Sequence, residues 1–320
     1  MTAITETIRS GGILPVVTLE RIEYAVPLAR AVAESGLPGM EVVFRSACAA
    51  DAIRTIRNAL PGLLLGAGTI LNCDQVNKAI DAGADFLVSP GFAPKVVSCS
   101  VRRGIPIYPG VTTPTEIEQA MEYGLDVLKF FPAETSGGVD KLKSFAGPYK
   151  NIRFIPTGGI NEKNFKEYLA LDNVVAVGGS FMIASTAMAS GQFDAVKAEL
   201  DRIIAMMLGL NVVRVGIHHT CAADALDSAK ALERAFYKIY SEGDSSFLCG
   251  AQEFELMKTD GRGTHGQIAI GVADIDRAIR FLNARGVAVD MDSLQITNGK
   301  KTGAFLKNEI GGFAFRLIKQ

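Results

Sequence analysis

Eight short apolar runs, at residues 13–19, 39–44, 63–67, 86–89, 106–109, 127–131, 153–157 and 174–178, recur through the first two-thirds of this 320-residue chain. Stretches with helical apolar spacing separate them, such as 21–35, 74–82 and the stripe Ala52, Ile53, Ile56 and Leu60. Strands that alternate with helices pair in parallel, because the crossover helix returns the chain to the same edge. Eight such units in about 200 residues predict a (β/α)8 barrel. A doubly wound sheet is the alternative from pattern alone. The stretch GAGT at 66–69 supports it weakly, lacking the third glycine of a dinucleotide fingerprint.

The polar and glycine-rich residues gather where strands end: Arg45, Thr69, Ser89-Pro90-Gly91, Pro109-Gly110, Pro132, Thr157-Gly158-Gly159 and Gly178-Gly179-Ser180. In a barrel that rim carries the active site. After MMLGLN at 206–211 the pattern changes. A strand at 212–218, a helix at 227–237 and short strands ending in FELMK precede a strand at 267–272, a helix at 275–285 and short strands ending in FRLIK. This reads as a duplicated β-α-β-β-β unit. The expected organisation is therefore a barrel over 1–207 and a smaller α+β domain over 208–320.

Composition excludes several classes. Thirty-three basic and 34 acidic side chains leave a net charge of -1. That gives no electrostatic reason to expect nucleic acid or an anionic membrane as partner. The start lacks the basic and apolar regions of a secretory signal, and no apolar run spans a bilayer. Five scattered cysteines without a CxxC pair suggest reduced thiols and a cytoplasmic protein. All three histidines, His218, His219 and His265, lie in the last third. Proton transfer in the expected barrel must therefore use Glu, Asp, Lys, Tyr or water.

Strand alternation selects the candidates. Lys129 shares a face with Val127 and Phe131, while Leu128 and Phe130 point outward. Glu41, Val43 and Arg45 share the other inward face, so Glu41, Arg45 and Lys129 are expected inside the barrel. A lysine and a glutamate there cost several kcal/mol unless paired or neutralised. Burial of a lysine favours the neutral amine, which attacks a ketone to form a Schiff base. Glu41 would move protons and Arg45 would hold a carboxylate. A structural Lys129–Glu41 ion pair is the competing reading. The glycine pairs after the last two strands suit either plain turns or an anion bound by backbone N–H groups.

The stretches PVVTLERIEYAVPLARA, GMEVVFRSACAADAIR, GAGTILN, SPG, PGVTTPTE, LKFFPAE, GGV, GPY, PTGGI and VGGS run in order over 14–180. In these the chain resembles the aldolases of 2-keto-3-deoxy-6-phosphogluconate (KDPG) and 4-hydroxy-2-oxoglutarate (KHG), which are lyases. The resemblance implies Lys129 as Schiff-base nucleophile and Glu41 as general acid/base. It implies Arg45 and Thr69 at the pyruvate end, with Pro90 and Phe131 packed on the pyruvyl group. It further implies Thr157 beside the substrate chain, and Gly158, Gly159, Gly179 and Ser180 around the phosphate. It carries no metal, no cofactor and a homotrimer. The substrate is a phosphorylated 2-keto-3-deoxy sugar acid that yields pyruvate. Ser46 stands where the family has threonine.

The stretch HGQIAIGVADIDRAIRFLNARG makes 208–320 resemble the glyoxalase and bleomycin-resistance (vicinal-oxygen-chelate) type. In metal-using members each half supplies a ligand from its first strand and a glutamate from its last. Glu255 fits one glutamate position, but Arg316 occupies the other. Gln267, with His265 two residues earlier, fits the second first-strand position, and His218 or His219 the first. A cation aimed at a divalent site is unfavourable, so no metal is expected. A metabolite-binding regulatory module is the reading preferred, with a metal-dependent second enzyme as the alternative.

Overall fold

Each apolar run of the first two hundred residues becomes a strand in the computed structural model, which describes residues 1–183 and 185–320. The strands are β1 Ile13–Val17, β2 Gly39–Val43, β3 Leu64–Gly68, β4 Phe86–Ser89, β5 Ile107–Val111, β6 Val127–Phe130, β7 Arg153–Pro156 and β8 Val177–Gly179. All pair in parallel, in the order β7-β6-β5-β4-β3-β2-β1-β8. Parallel bridges Thr157–Gly178 and Phe154–Val174 link β7 to β8 and close the ring. The doubly wound alternative is excluded by that closure, since an open sheet keeps two edges.

Alternation places the core as expected. Leu14, Val88, Tyr108, Val127 and Ile155 fill the lumen together with Ile8 of the helix Ala3–Gly11. That helix precedes β1, so it plugs the N-terminal mouth, and Thr5 Oγ1 shares a 2.9 Å hydrogen bond with the buried Tyr108 hydroxyl. The outward Phe130 packs edge-on against Phe145 and Phe154, at 6.3 and 6.4 Å between ring centroids. With one mouth filled, the opposite rim is where a site can form.

Strand ends differ from expectation by a residue or two, and the eighth most. The run 174–178 was apolar throughout, yet β8 begins at Val177. Buried apolar residues before a strand look like the strand itself when periodicity is the only guide. The strand expected through 44 stops at Val43, which corrects the placement of Arg45: it lies on the following turn, exposed at the rim rather than inside the barrel.

The chain divides into two compact units, Met1–Ile204 and Ala205–Gln320. The second unit holds β9 Asn211–His218, β10 Tyr240–Glu242, β11 Ser246–Cys249, β12 Phe254–Met257, β13 Gly266–Val272, β14 Val289–Thr297, β15 Lys300–Leu306 and β16 Phe313–Lys319. Helices Ala222–Phe236 and Ile275–Ala284 follow β9 and β13, so two β-α-β-β-β modules are present. They form one sheet in the order β10-β11-β12-β9-β13-β16-β15-β14, whose centre is the antiparallel pair β9–β13. Ala225 and Ala229 of the first helix pack on Phe247, Cys249 and Leu256. These point to the face of the sheet opposite Glu255. Among the described residues no helix is long and apolar enough to cross a membrane.

Candidate active site

The C-terminal ends of the barrel strands surround a cavity of about 200 Å³. Glu41, Arg45, Thr69, Pro90, Lys129, Phe131, Thr157, Gly158, Gly159, Gly179 and Ser180 all line it. Sequence reasoning thus brought its residues to one place, although β2, β3, β4, β6, β7 and β8 each contribute to the rim.

Lys129 comes third on β6, directly above Val127 of the lumen core. Glu41 is the middle residue of β2. Their side chains are 7% and 2% exposed, and Nζ lies 3.8 Å from Glu41 Oε1. That separation is too long for a hydrogen bond. Glu41 Oε1 is buried and accepts no hydrogen bond among the described residues. A structural ion pair in a barrel core closes to contact and satisfies its oxygens, because an unmet buried carboxylate is costly. Here the pair stands open toward a cavity, from which one oxygen of a third group can approach from the side and bridge both. Lys129 Nζ also sits 4.9 Å from the centroid of Phe131, the residue after β6, which forms one wall. Phe131 is joined to Pro132 by a cis peptide bond.

The room for Glu41 comes from β3. A Cβ on Gly68 would overlap the Glu41 carboxylate, so glycine is required there. The next residue, Thr69, has φ +57°. A β-branched residue in the left-handed region costs about 1–3 kcal/mol. Ile70 N–H donates to Val88 O at 3.0 Å and ties down the turn behind it. The conformation aims the Thr69 side chain at the cavity that Arg45 enters from the other side.

Gly158 and Gly159 follow β7 with φ +98° and +79°. Ala133 N–H donates to Thr157 O at 2.8 Å and Glu134 N–H to Gly158 O at 3.1 Å, so the KFFPAE segment holds this turn from below. A Cβ on Gly159 would approach Glu134 Cβ to 2.6 Å. The Glu134 carboxylate in turn accepts a short hydrogen bond from the hydroxyl of Tyr168, a fully buried side chain. Burial, and then this carboxylate, push the Tyr168 hydroxyl well above its ordinary range, so it stays a donor. Glu134 was not singled out from the sequence. Its signal was the motif itself, whose last residue had no assigned task. Val16, Val43 and Ile160 complete the apolar wall. Val43 was legible from its alternation with Glu41.

In the second unit the histidines do not converge. His219 Nε2 hydrogen-bonds Ser228 Oγ at 2.8 Å, its Nδ1 lies 3.2 Å from Met257 O, and the His265 ring packs on Phe313 at 5.8 Å. Among the described residues no group of three His, Cys, Asp or Glu is placed to hold a metal. The sheet register also corrects the first-module position. Glu255 pairs with Gly216, and Arg316 with Ala269. Equating Glu255 with Arg316 therefore equates Gly216 with Ala269, and Arg214 with Gln267. The central ladder obeys the same two-fold symmetry, since Gln267 faces Gly216 and Ala269 faces Arg214. Arg214, not His218 or His219, is the counterpart of Gln267. The loose match near 221–226 had hidden the register. The four equivalent positions hold Arg214, Glu255, Gln267 and Arg316, a donor set that does not suit a divalent cation.

The family described as KDPG and KHG aldolase matches residues 4–199. The 2-dehydro-3-deoxy-phosphogluconate aldolase of Treponema pallidum is 49% identical over 198 residues, 62% of this chain and 94% of the relative. A KDPG aldolase of Legionella pneumophila, solved with pyruvate captured as a covalent carbinolamine intermediate, is similar with a TM-score of 0.61 and 33% identity, over 63% of this chain and 98% of that one. The 2-keto-3-deoxy-6-phosphogluconate aldolase of Zymomonas mobilis ZM4, solved with 3-phosphoglycerate, is similar with a TM-score of 0.58 and 35% identity, over 63% and 96% of the two chains.

Proposed function

This chain belongs to the KDPG and KHG aldolase family, and from that membership we infer that its barrel is a Schiff-base lyase. It cleaves 2-dehydro-3-deoxy-6-phosphogluconate to pyruvate and glyceraldehyde 3-phosphate, and 4-hydroxy-2-oxoglutarate to pyruvate and glyoxylate. The observation that carries the reading is the open, buried approach of Lys129 Nζ to Glu41 Oε1 inside the rim cavity.

In the proposed cycle the Lys129 amine attacks the C2 ketone, forming a carbinolamine. Glu41 delivers a proton to its hydroxyl, and water leaves to give an iminium. Glu41 then takes the C4 hydroxyl proton as the C3–C4 bond breaks, and the bond's electron pair passes into the iminium. Glyceraldehyde 3-phosphate departs. The enamine takes a proton at C3, water hydrolyses the iminium, and pyruvate leaves with Lys129 restored. Arg45 and Thr69 hold the substrate carboxylate, Pro90 and Phe131 pack on the pyruvyl carbons, and Thr157 lies along the chain. Gly158, Gly159, Gly179 and Ser180 offer backbone N–H groups to the phosphate. The cavity's two ends thus carry the separate anion sites that a phosphorylated oxo-acid needs.

Borohydride added with pyruvate should reduce the iminium and add the mass of the reduced pyruvyl group to the peptide bearing Lys129. Active protein that yields no such adduct would refute the mechanism.

We assign 1–207 to the aldolase and 208–320 to a glyoxalase-like domain that binds a metabolite and carries no metal. The two β-α-β-β-β modules support the likeness, and the Arg-Glu-Gln-Arg set supports a binding role over a metal-dependent second enzyme. A cytoplasmic homotrimer is the expected form, to be checked by light scattering of the full chain.

A further inference from the structure

The face of the second sheet that carries Glu255 has an unusual centre. Along one row the register runs Glu255, Gly216, Gln267, Ala314, and along the next Arg214, Ala269, Arg316, Phe305. Directly paired residues point to the same face. Arg214 and Arg316 therefore flank Ala269 from the strands on either side, roughly 10 Å apart at the backbone. Between them stands Ala269, and next to Arg316 on the same face of its own strand stands Ala314, each 6% exposed. The Gly216 position is covered by the Gln267 side chain. Long side chains over a small-residue floor make a trough.

The charges in that trough do not cancel. Three guanidinium groups, those of Arg214, Arg262 and Arg316, share two carboxylates, since the second row continues from Phe305 to Asp290. Arg214 takes most of Glu255: its Nη1 lies 3.4 Å from Glu255 Oε2, and its Nε and Nη2 bond to Gln252 at 3.0 and 2.8 Å. Ser246 Oγ donates to the other Glu255 oxygen at 3.2 Å. The nearby Arg262 is neutralised by Asp290 at 2.6 Å. Arg316 hydrogen-bonds a neutral partner, the Gln295 amide oxygen, and packs on the Phe305 ring, whose centroid lies 5.6 Å from Cζ, while the Glu255 carboxylate attracts it only through space. Its Nε is buried and donates to no acceptor among the described residues. A buried guanidinium donor without an acceptor is costly, and an anion would remove that cost. Among the described residues the Gln267 amide, buried on the same face, donates to the Met257 sulfur at 3.7 Å, a weak acceptor. A ligand oxygen would be better.

We propose that this trough binds a small organic carboxylate of the hydroxy- or oxo-acid class. The carboxylate lies against Arg316, with Arg214 on the far side, and the hydroxyl or oxo oxygen meets the Gln267 amide. This rests on the reading of residues 208–320 as a binding module and adds the chemistry of its ligand. The module symmetry that would gather metal ligands instead gathers two cations.

The test is calorimetric titration of the full chain with glycolate, L-malate and inorganic phosphate, after the barrel lysine is blocked by reduction with pyruvate. One of the carboxylates should bind saturably below about 10 mM, and Arg316→Gln should weaken it at least ~10-fold. Glu255→Gln should tighten it by about threefold or more, because it removes the carboxylate that competes for Arg214 and Arg316. That rise separates a ligand site from a structural ion cluster, which any substitution would only loosen. Retro-aldol turnover of unblocked Arg316→Gln protein should be unchanged. No saturable binding of either acid, phosphate binding that is tighter than both acids and is lost in Arg316→Gln, or affinity indifferent to Arg316 would overturn the carboxylate site. A neutral metabolite that binds without regard to Arg316 would do the same, yet leave the binding-module reading intact.

Discussion

At the residue scale the proposed chemistry depends on Glu41, a carboxylate whose Oε1 has no hydrogen-bond partner among the described residues. Glu41→Gln keeps the shape and removes the proton acceptor. We expect retro-aldol kcat to fall by about 10²–10⁴, the usual range for loss of a general acid/base. Little change in kcat would mean that another group moves the proton. Thr69 offers a test with two opposed signs. Thr69→Gly relieves the left-handed backbone and should leave melting temperature unchanged or raised, while KM rises because the carboxylate loses a hydroxyl. A fall in stability with unaltered KM would argue that Thr69 serves only the turn. Glu134 acts through Gly159, as a positioning residue. Glu134→Ala should raise KM for the phosphorylated substrate more than for 4-hydroxy-2-oxoglutarate, which has no phosphate to seat. Equal effects on both substrates would remove the link to the Gly158–Gly159 turn.

At the scale of elements, the helix Pro114–Glu122 shows how local signals and acid sensitivity connect. Thr113 and Glu116 form a capping box at its start. Burial is the largest single influence on Glu116 and pushes its carboxyl up. Hydrogen bonds donated by Thr112 and Thr113, from both N–H groups and both hydroxyls, outweigh burial and hold it below the usual carboxylate range. Because the folded value is the lower one, its stabilisation is complete above the unfolded value and disappears as pH falls through the folded value. The stability gap between the native chain and Glu116→Gln should therefore narrow under acid. A gap that stays constant with pH would rule out this charge. The helix Ala3–Gly11 has a different task, since Ile8 fills the lumen from below. Ile8→Ala should cost about 2–5 kcal/mol in denaturant unfolding, the range for a buried isoleucine truncated to alanine.

For the whole molecule, all eleven rim residues fall within Met1–Ile204. A chain ending at Leu208 should retain saturated retro-aldol turnover within about a factor of two to three, if the second unit binds rather than catalyses. Loss of turnover from a folded barrel would make the second unit part of the active enzyme. Much of this organisation was legible beforehand, for different reasons in its two parts. Barrel strands are short, buried on both faces and separated by helices, so eight units could be counted. The modules of the second unit share a pattern but little local identity, so their register around Arg214 could not be read from it.

Alternation along β2 and β6 was enough to put Glu41 and Lys129 on the inner wall, since a side-chain period of two leaves an apolar outer face only one way to turn. Sequence order likewise set where the rim and its glycines fall. Three things depended on the closed structure. Arg45 sits on a turn rather than a strand, because β2 ends once its last ladder partner, Gly68, has been used. The Lys129–Glu41 gap follows from how far apart β2 and β6 stand across the ring. Arg214 meets Arg316 only because two modules pair edge to edge. Periodicity is local and survives in the chain as written, whereas distances between strands far apart in sequence exist only after the sheet has closed.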